Sequence, residues 1–175
     1  MADVLSTFGS LQTVQFPSDG PGSANDASPK APLGVTVRYE GNLYRYVKFD
    51  NGSGNIASGS GKVAYWKSLD PAAGTFTVTC DVSDAIGSGV NTVAGVFRTT
   101  VTDGYYTFIQ ISGVSPDTVC AASVVAGDKL KYGLDGAFGR VAAGVAATDQ
   151  VFGIALETVD PTSFKGDVLL MNLDW

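Results

Sequence analysis

Val125-Ala-Gly-Asp-Lys-Leu-Lys-Tyr-Gly-Leu-Asp-Gly136, Val151-Phe-Gly-Ile-Ala-Leu-Glu157 and Val168-Leu-Leu-Met-Asn-Leu-Asp-Trp175 hold three apolar runs set off by Gly/Asp turns. They read as strands of one compact antiparallel unit. From Lys129 to Tyr132 polar and apolar residues alternate, and in Tyr132-Gly-Leu-Asp-Gly136 two glycines flank an Asp, which supplies the positive-φ positions of a tight reversal. A hairpin is predicted there. Val151 to Leu156 is denser in apolar residues, with Gly153 in the middle, as expected of a central strand that is either covered on both faces or crossed closely by another backbone. Val168 to Leu173 ends the chain, and so apolar a terminus, with Trp175 at its tip, has to be tied to the sheet.

Working outward, the same motif occurs once more. Val93-Ala-Gly-Val-Phe97, Val101, a turn at Asp103-Gly104 and Tyr106-Thr-Phe-Ile-Gln-Ile111 overlay Val151-Phe-Gly-Ile-Ala155, Val159, Gly166-Asp167 and Val168 to Leu173. Either this is a duplication or the two segments share only what any Gly-centred hairpins share. Before them, Val35 to Tyr39 and Leu43 to Phe49 alternate around Glu40-Gly-Asn42, which makes another hairpin. One face carries Tyr44, Tyr46 and Lys48, the other Leu43, Arg45, Val47 and Phe49. Arg45 sits badly on that second face, so it is expected at the sheet edge or turned to a partner's carboxylate. Asp50 to Gly61 reads as an exposed, mobile Gly/Ser/Asn loop. Lys62 to Lys67 and Thr75 to Val82 follow as strands, with a turn between them at Asp70-Pro-Ala-Ala-Gly74, and a further turn is expected at Gly113-Val-Ser-Pro-Asp117.

About ten short strands at this spacing predict an all-β chain, a compact antiparallel barrel or sandwich. Composition agrees: 22 of the 175 residues are Gly, only 16% are charged, and no run of helix formers exceeds a turn or two. The expected division is an extended N-terminal arm, residues 1–32, and a single β-domain, residues 33–175. Phe16 to Pro32 packs four prolines among small polar residues and lacks the apolar area to order by itself. The segment is therefore either a solvated tail or an arm that orders on a partner, and Val4, Leu5, Phe8, Leu11, Val14 and Phe16, anchors that a plain linker would not carry, argue for the arm.

Several functions are argued against. The formal charge is −6 and no Lys/Arg cluster exists, so nucleic acid is not an expected partner. No stretch approaches twenty apolar residues, and Met1-Ala-Asp-Val-Leu-Ser6 lacks the basic and apolar regions of a secretory signal, so neither a membrane span nor export is expected. Without histidine there is no Ser-His-Asp or Cys-His nucleophile, and the commonest zinc ligand is missing. Cys80 and Cys120 form no Cys-x-x-Cys site and read as buried thiols, though a disulfide stays open if their strands are neighbours. Acidic residues sit at turns, where turn chemistry alone would place them, and Asp50 to Asn55 lacks the spacing of a calcium loop. No enzyme, metal or cofactor is expected. The aromatics Tyr39, Tyr44, Tyr46, Tyr65, Trp66, Tyr105 and Tyr106 serve either as cross-strand core pairs or as a sugar-stacking face.

Gly104-Tyr-Tyr-Thr-Phe-Ile-Gln-Ile-Ser-Gly113, Val125-Ala-Gly-Asp-Lys-Leu130 near a Gly-x-Asp-Gly turn, and Val151 to Glu157 together resemble the capsid decoration, or cement, proteins of tailed bacteriophages, over residues 93–173. The resemblance implies a β-rich knob made in the host cytoplasm and carried on the outer capsid surface. It would be a homotrimer that bridges neighbouring major capsid subunits. The contacts are expected from the arm and one barrel end, and the expected contact residues are Val4, Leu5, Phe8, Leu11 and Phe16 of the arm together with Arg45 and Trp175. The alternative is a carbohydrate- or receptor-binding virion module built on Tyr44, Tyr46, Trp66, Tyr105 and Tyr106.

Overall fold

The computed structural model describes residues 19–87, 93–141, 150–171 and 173. Ten strands run through them and no α-helix occurs among the described residues, so the chain is all-β. Strand β1 (Thr36–Tyr39) and β2 (Asn42–Phe49) form the first hairpin, with Tyr39 facing Asn42 across a two-residue loop. Both loop residues, Glu40 and Gly41, take positive φ (48° and 81°), the geometry that matches strand twist in so short a loop. Strands β3 (Val63–Asp70) and β4 (Thr75–Thr79) form the second hairpin, whose turn is held by Asp70 Oδ1 accepting from the Ala73 amide at 3.1 Å. Then come β5 (Val93–Phe97) and the 14-residue β6 (Tyr106–Val119).

The order β2-β4-β3-β5-β6 closes because β6 also pairs with β2, from Leu43 against Ser112 to Lys48 against Tyr106. The result is a five-stranded closed barrel. Its one parallel joint, β2 with β4, is only two residue pairs long. Alternation sends Val47 and Phe49 inward from β2, where they meet Val63, Tyr65, Val78, Phe97, Ile109 and Ile111. Phe49 and Phe97 stand edge to face at 5.3 Å between ring centres. Each such side chain contributes roughly 1.5–3 kcal/mol by leaving water.

Strand β6 does not stop where a turn was expected. It bends at Gly113 (φ 94°), where a side chain would run into Asn42, passes through Ser115 and Pro116, and continues to Val119. Its far half starts a second sheet in the order β6-β10-β9-β7-β8, made of β7 (Lys129–Tyr132), β8 (Phe138–Arg140), β9 (Gly153–Ala155) and β10 (Lys165–Leu170). The predicted hairpin at Tyr132–Gly136 is the β7–β8 turn. Strand β9 is internal, between β10 and β7, but it is covered on one side only, since Ile154 is partly exposed while Gly153 and Ala155 are buried. Beyond β6 the Ala121 amide donates to Phe138 O at 2.8 Å, so this sheet curls back on its own first strand.

Gly61 pins the two halves together. Its amide donates to Phe97 O and its carbonyl accepts from the Val119 amide, both at 2.8 Å; a methyl group there would meet the Asp117 carbonyl. From the barrel interior the Tyr65 hydroxyl lies 2.9 Å from Leu134 O and 2.8 Å from Ala137 O, which fixes the β7–β8 turn. One continuous core results, since Leu130, Phe138, Phe152, Val168 and Leu170 join the barrel residues. The two glycine-centred hairpins of the sequence both exist, but their registers differ. Val96 faces Gln110, whereas Ile154 faces Leu169, the counterpart in the overlay of Thr107 rather than of Gln110.

Candidate interaction surface

The Pro/Gly/Ser-rich stretch is where structure and sequence part most. Its second half, residues 19–32, lies along the outside of β2 and β6. Asp26 exchanges two backbone hydrogen bonds with Tyr106, both 2.9 Å. Tyr46 donates its hydroxyl proton to Asp26 Oδ2 at 2.8 Å and accepts from the Lys30 amide at 3.1 Å. Thr107 Oγ1 donates to Ala24 O at 2.7 Å. Beneath this cover a second small core gathers Ala24, Val37, Tyr44, Tyr46 and Phe108, with Leu33, Val35 and Tyr39 at its rim. Tyr46 and Phe108 are 4.6 Å apart at their ring centres. Burial is the main reason the Tyr46 phenol is pushed well above its ordinary range, and that favours the neutral donor the Asp26 bond needs. The segment cannot form a core alone, but it completes one that β2 and β6 already offer.

Asp19, where the described chain begins, lies at a cleft of about 290 Å³ lined by Tyr39, Glu40, Tyr44 and Arg98. Arg98 Nη1 reaches past it to Ser115 Oγ (3.1 Å) and Pro116 O (2.7 Å) on β6. Of the expected contact residues, Val4, Leu5, Phe8, Leu11, Phe16 and Trp175 lie outside the described residues. Arg45 is described, and its expected place at the sheet edge is corrected. It is 4% exposed, inside the barrel end, with its guanidinium 5.8 Å from the centre of the Trp66 ring and Nη1 donating to Leu173 O at 3.4 Å. A planar, delocalised cation tolerates this site because the indole face and a carbonyl replace part of its water. Alternation had put it on the correct face; the error was to treat that face as closed to charge.

The aromatic residues do not make one exposed sugar-stacking face. Trp66 is 2% exposed in the barrel core, Tyr46 is fully buried and Tyr44 nearly so, which leaves Tyr105 and Tyr106 only partly open. The loop from Asp50 to Gly61, expected to be mobile, is held at many points. Gly54 N donates to Asp81 Oδ2 (2.7 Å), Ser53 N to Asp84 Oδ2 (3.1 Å) and Asn51 N to Asp103 Oδ1 (2.9 Å). Buried Ser58 bonds both backbone groups of Val101. Lys67 Nζ sits 2.8 Å from both Asp50 and Asp84 and holds both carboxyls below their ordinary range. The Ser83 hydroxyl does the same for Asp81. These carboxylates are therefore engaged as acceptors, and among the described residues no group of three His, Cys, Asp or Glu could hold a metal ion. Cys80 and Cys120 are free and buried, and burial pushes both thiols up to about 12.

No family model and no curated protein matches this chain. Among solved structures it is similar to the N base of the head fiber gp8.5 of bacteriophage phi29. That match has 12% identity and a TM-score of 0.49, and it covers 73% of this chain and 92% of the other.

The second sheet carries the other notable surface. Register places Val114 of β6, Leu169 of β10 and Ile154 of β9 side by side across three strands. Val114 is 46% and Leu169 39% exposed, and Leu156 and Met171, two positions on from Ile154 and Leu169, are exposed as well.

Proposed function

We propose that this chain is a non-enzymatic structural protein of a tailed-phage virion, which binds the outer capsid surface as a homotrimer and stabilises the head by bridging major capsid subunits. The observation that carries the reading is where the resembling segments fall. Gly104 to Gly113 is the turn into β6 and its first half, Val125 to Leu130 leads into β7, and Val151 to Glu157 contains β9. They frame the strand shared by both halves and the sheet built on it, so the likeness follows the scaffold rather than scattered turns. The remaining support is chemical. The acids of the pinned loop serve as backbone and lysine acceptors, the thiols are buried, and apolar side chains stand exposed on a sheet face. Such a chain is equipped for adhesion. Many modest contacts, repeated over a shell, sum to firm attachment.

In this reading the arm residues Val4, Leu5, Phe8, Leu11 and Phe16 make the contacts together with Trp175, and Arg45 positions the barrel end from inside. The test is to add the purified full-length protein to purified heads that lack it and to measure occupancy by sedimentation and by imaging. Saturable decoration, with a higher temperature of DNA release, is expected. Heads that stay bare at micromolar protein would overturn the proposal. Phe8→Asp with Phe16→Asp should weaken decoration at least about tenfold, the loss of roughly 1.4 kcal/mol; unchanged occupancy would remove the arm from the contact.

A further inference from the structure

The bare apolar face of the second sheet is charged at two margins, with opposite signs. Val114 of β6, Leu169 of β10 and Ile154 of β9 stand in one row, and the register carries that row on to Lys129 of β7, exposed and opposite Ile154. One step along the strands the face turns acidic. Asp167, half-exposed, lies two positions before Leu169 on β10 and next to Leu156, whose amide donates to Asp167 O at 2.8 Å. The Asp167 amide donates to Glu157 Oε1 at 3.1 Å and its own carboxylate accepts from the Asp117 amide at 3.4 Å, so three carboxylates gather at this margin beside Lys165. Among the described residues neither Lys129 nor Asp167 has an ion-pair partner.

We infer that a second copy of this chain docks on the face, apolar row against apolar row, with Lys129 of one copy set against Asp167 of the other. The inference deepens the proposed function and rests on its homo-oligomer, for which it names the joining surface. Two features select another copy as the occupant. The apolar centre is contiguous and wet, with Val114, Leu156 and Met171 46–47% exposed, so it gains from a matching apolar surface. The occupant must also bring an acid to Lys129 and a base to Asp167, because a charge covered without its partner costs more than the contact returns. This chain carries that pair in the right places. Lys129 and Asp167 are two strand spacings and two residues apart, about 12 Å, with Ile154 and Leu156 between them. A half-turn about a line through that midpoint brings Lys129 over Asp167, and Leu169 beside Ile154, in both directions at once. A ring of three makes the same contact once per interface. The strands themselves are already paired, so docking leaves the fold of each copy as it is.

The experiment measures the mass of purified full-length protein by native mass spectrometry and by sedimentation over a concentration series. Assemblies that dissociate on dilution are expected. Leu169→Glu should leave monomer where the parent chain associates, whereas Leu134→Glu, at the exposed β7–β8 turn, should not. Lys129→Glu and Asp167→Lys should each weaken association at least about tenfold, and the two together should restore it, since the exchanged charges face each other again. That recovery also shows that the single variants are folded. A parent chain that stays monomeric at high micromolar concentration, an association indifferent to Leu169→Glu, or a double variant no better than the singles would overturn the inference. The result is separable from the head-binding test. A mass of two keeps the face and removes the homotrimer, assemblies with bare heads remove only the capsid role, and monomers that decorate heads normally remove only this contact.

Discussion

Two outer faces of this molecule share strand β6 and meet opposite fates. On the barrel half Tyr46 and Phe108 are hidden under residues 19–35, and on the far half Val114 stands in a row with Leu169 and Ile154 in water. The covered face combines apolar contact with a hydrogen-bond set, in which the Tyr46 hydroxyl, the Asp26 carboxylate and the Lys30 amide satisfy one another. The bare face has only side chains to offer, because its backbone groups are spent on neighbouring strands. Covering the first therefore stabilises the fold itself. Covering the second would add contact without altering the sheet.

The sharpest way to break this contrast is to empty the covered face. Phe108→Ala should lower unfolding free energy by about 3–5 kcal/mol, the range for deleting a buried ring, and urea titration should show it as a lower midpoint. Hydrogen exchange should rise at residues 24–35 along with it. If the loss were below about 1 kcal/mol, the N-terminal cover would be ornamental and the contrast false. Tyr46→Phe is the finer cut. It keeps the ring but strands the Lys30 amide and removes the donor to Asp26, for a cost of about 1–3 kcal/mol. Exchange should then rise mainly near Asp26 and Lys30, with the barrel interior unchanged.

The loop from Asp50 to Gly61 offers a polar counterpart, held by carboxylates instead of apolar contact. Asp50, Asp81 and Asp84 are shifted below their ordinary value of 3.8, so their contribution is complete above the unfolded-state value and fades as pH falls below about 4. Lys67 is shifted the other way, and its share persists until pH rises past the ordinary lysine range. In Lys67→Met the unfolding free energy should accordingly vary less between pH 4 and pH 2 than in the parent chain, with the largest difference between the two proteins at neutral pH. Equal destabilisation at pH 7 and pH 2 would mean that Lys67 acts by packing alone. Acid should thus loosen the loop.

These contrasts also mark what could be read from residues alone. Strand existence was legible wherever alternation was strict. The hairpin at Tyr39 and Asn42, the strands at Val63 and Thr75, and the Tyr132–Gly136 turn all stand where period-two patterning and paired glycines placed them. What failed was anything decided between distant segments. The parallel joint of β2 with β4 that closes the barrel involves two residue pairs and leaves no local signal. Gly113 and Asp117 looked like a turn, since positive φ is needed there, yet the same geometry bends a strand that goes on pairing to Val119. Asp50 to Gly61 looked loose because its partners, Asp81, Asp84, Asp103 and Val101, lie 27 to 52 residues away. The Pro-rich segment looked solvated because the apolar surface it covers belongs to β2 and β6. Of the candidate contact residues, Arg45 alone could be placed, and the indole that makes its burial possible arrives from another strand.

The smallest expected effect discriminates most finely between the two faces. Leu169→Ser removes a side chain that is 39% exposed and pairs only with other surface residues, so the isolated fold should change by no more than about 0.5 kcal/mol. Phe108→Ala, on the same sheet system, changes it several-fold more. If Leu169→Ser nevertheless lowers the urea midpoint markedly, the row of Val114, Leu169 and Ile154 is shielded from water in the free protein and contributes to its stability. If stability holds, the face has little part in folding, and the contrast with the covered face around Phe108 stands.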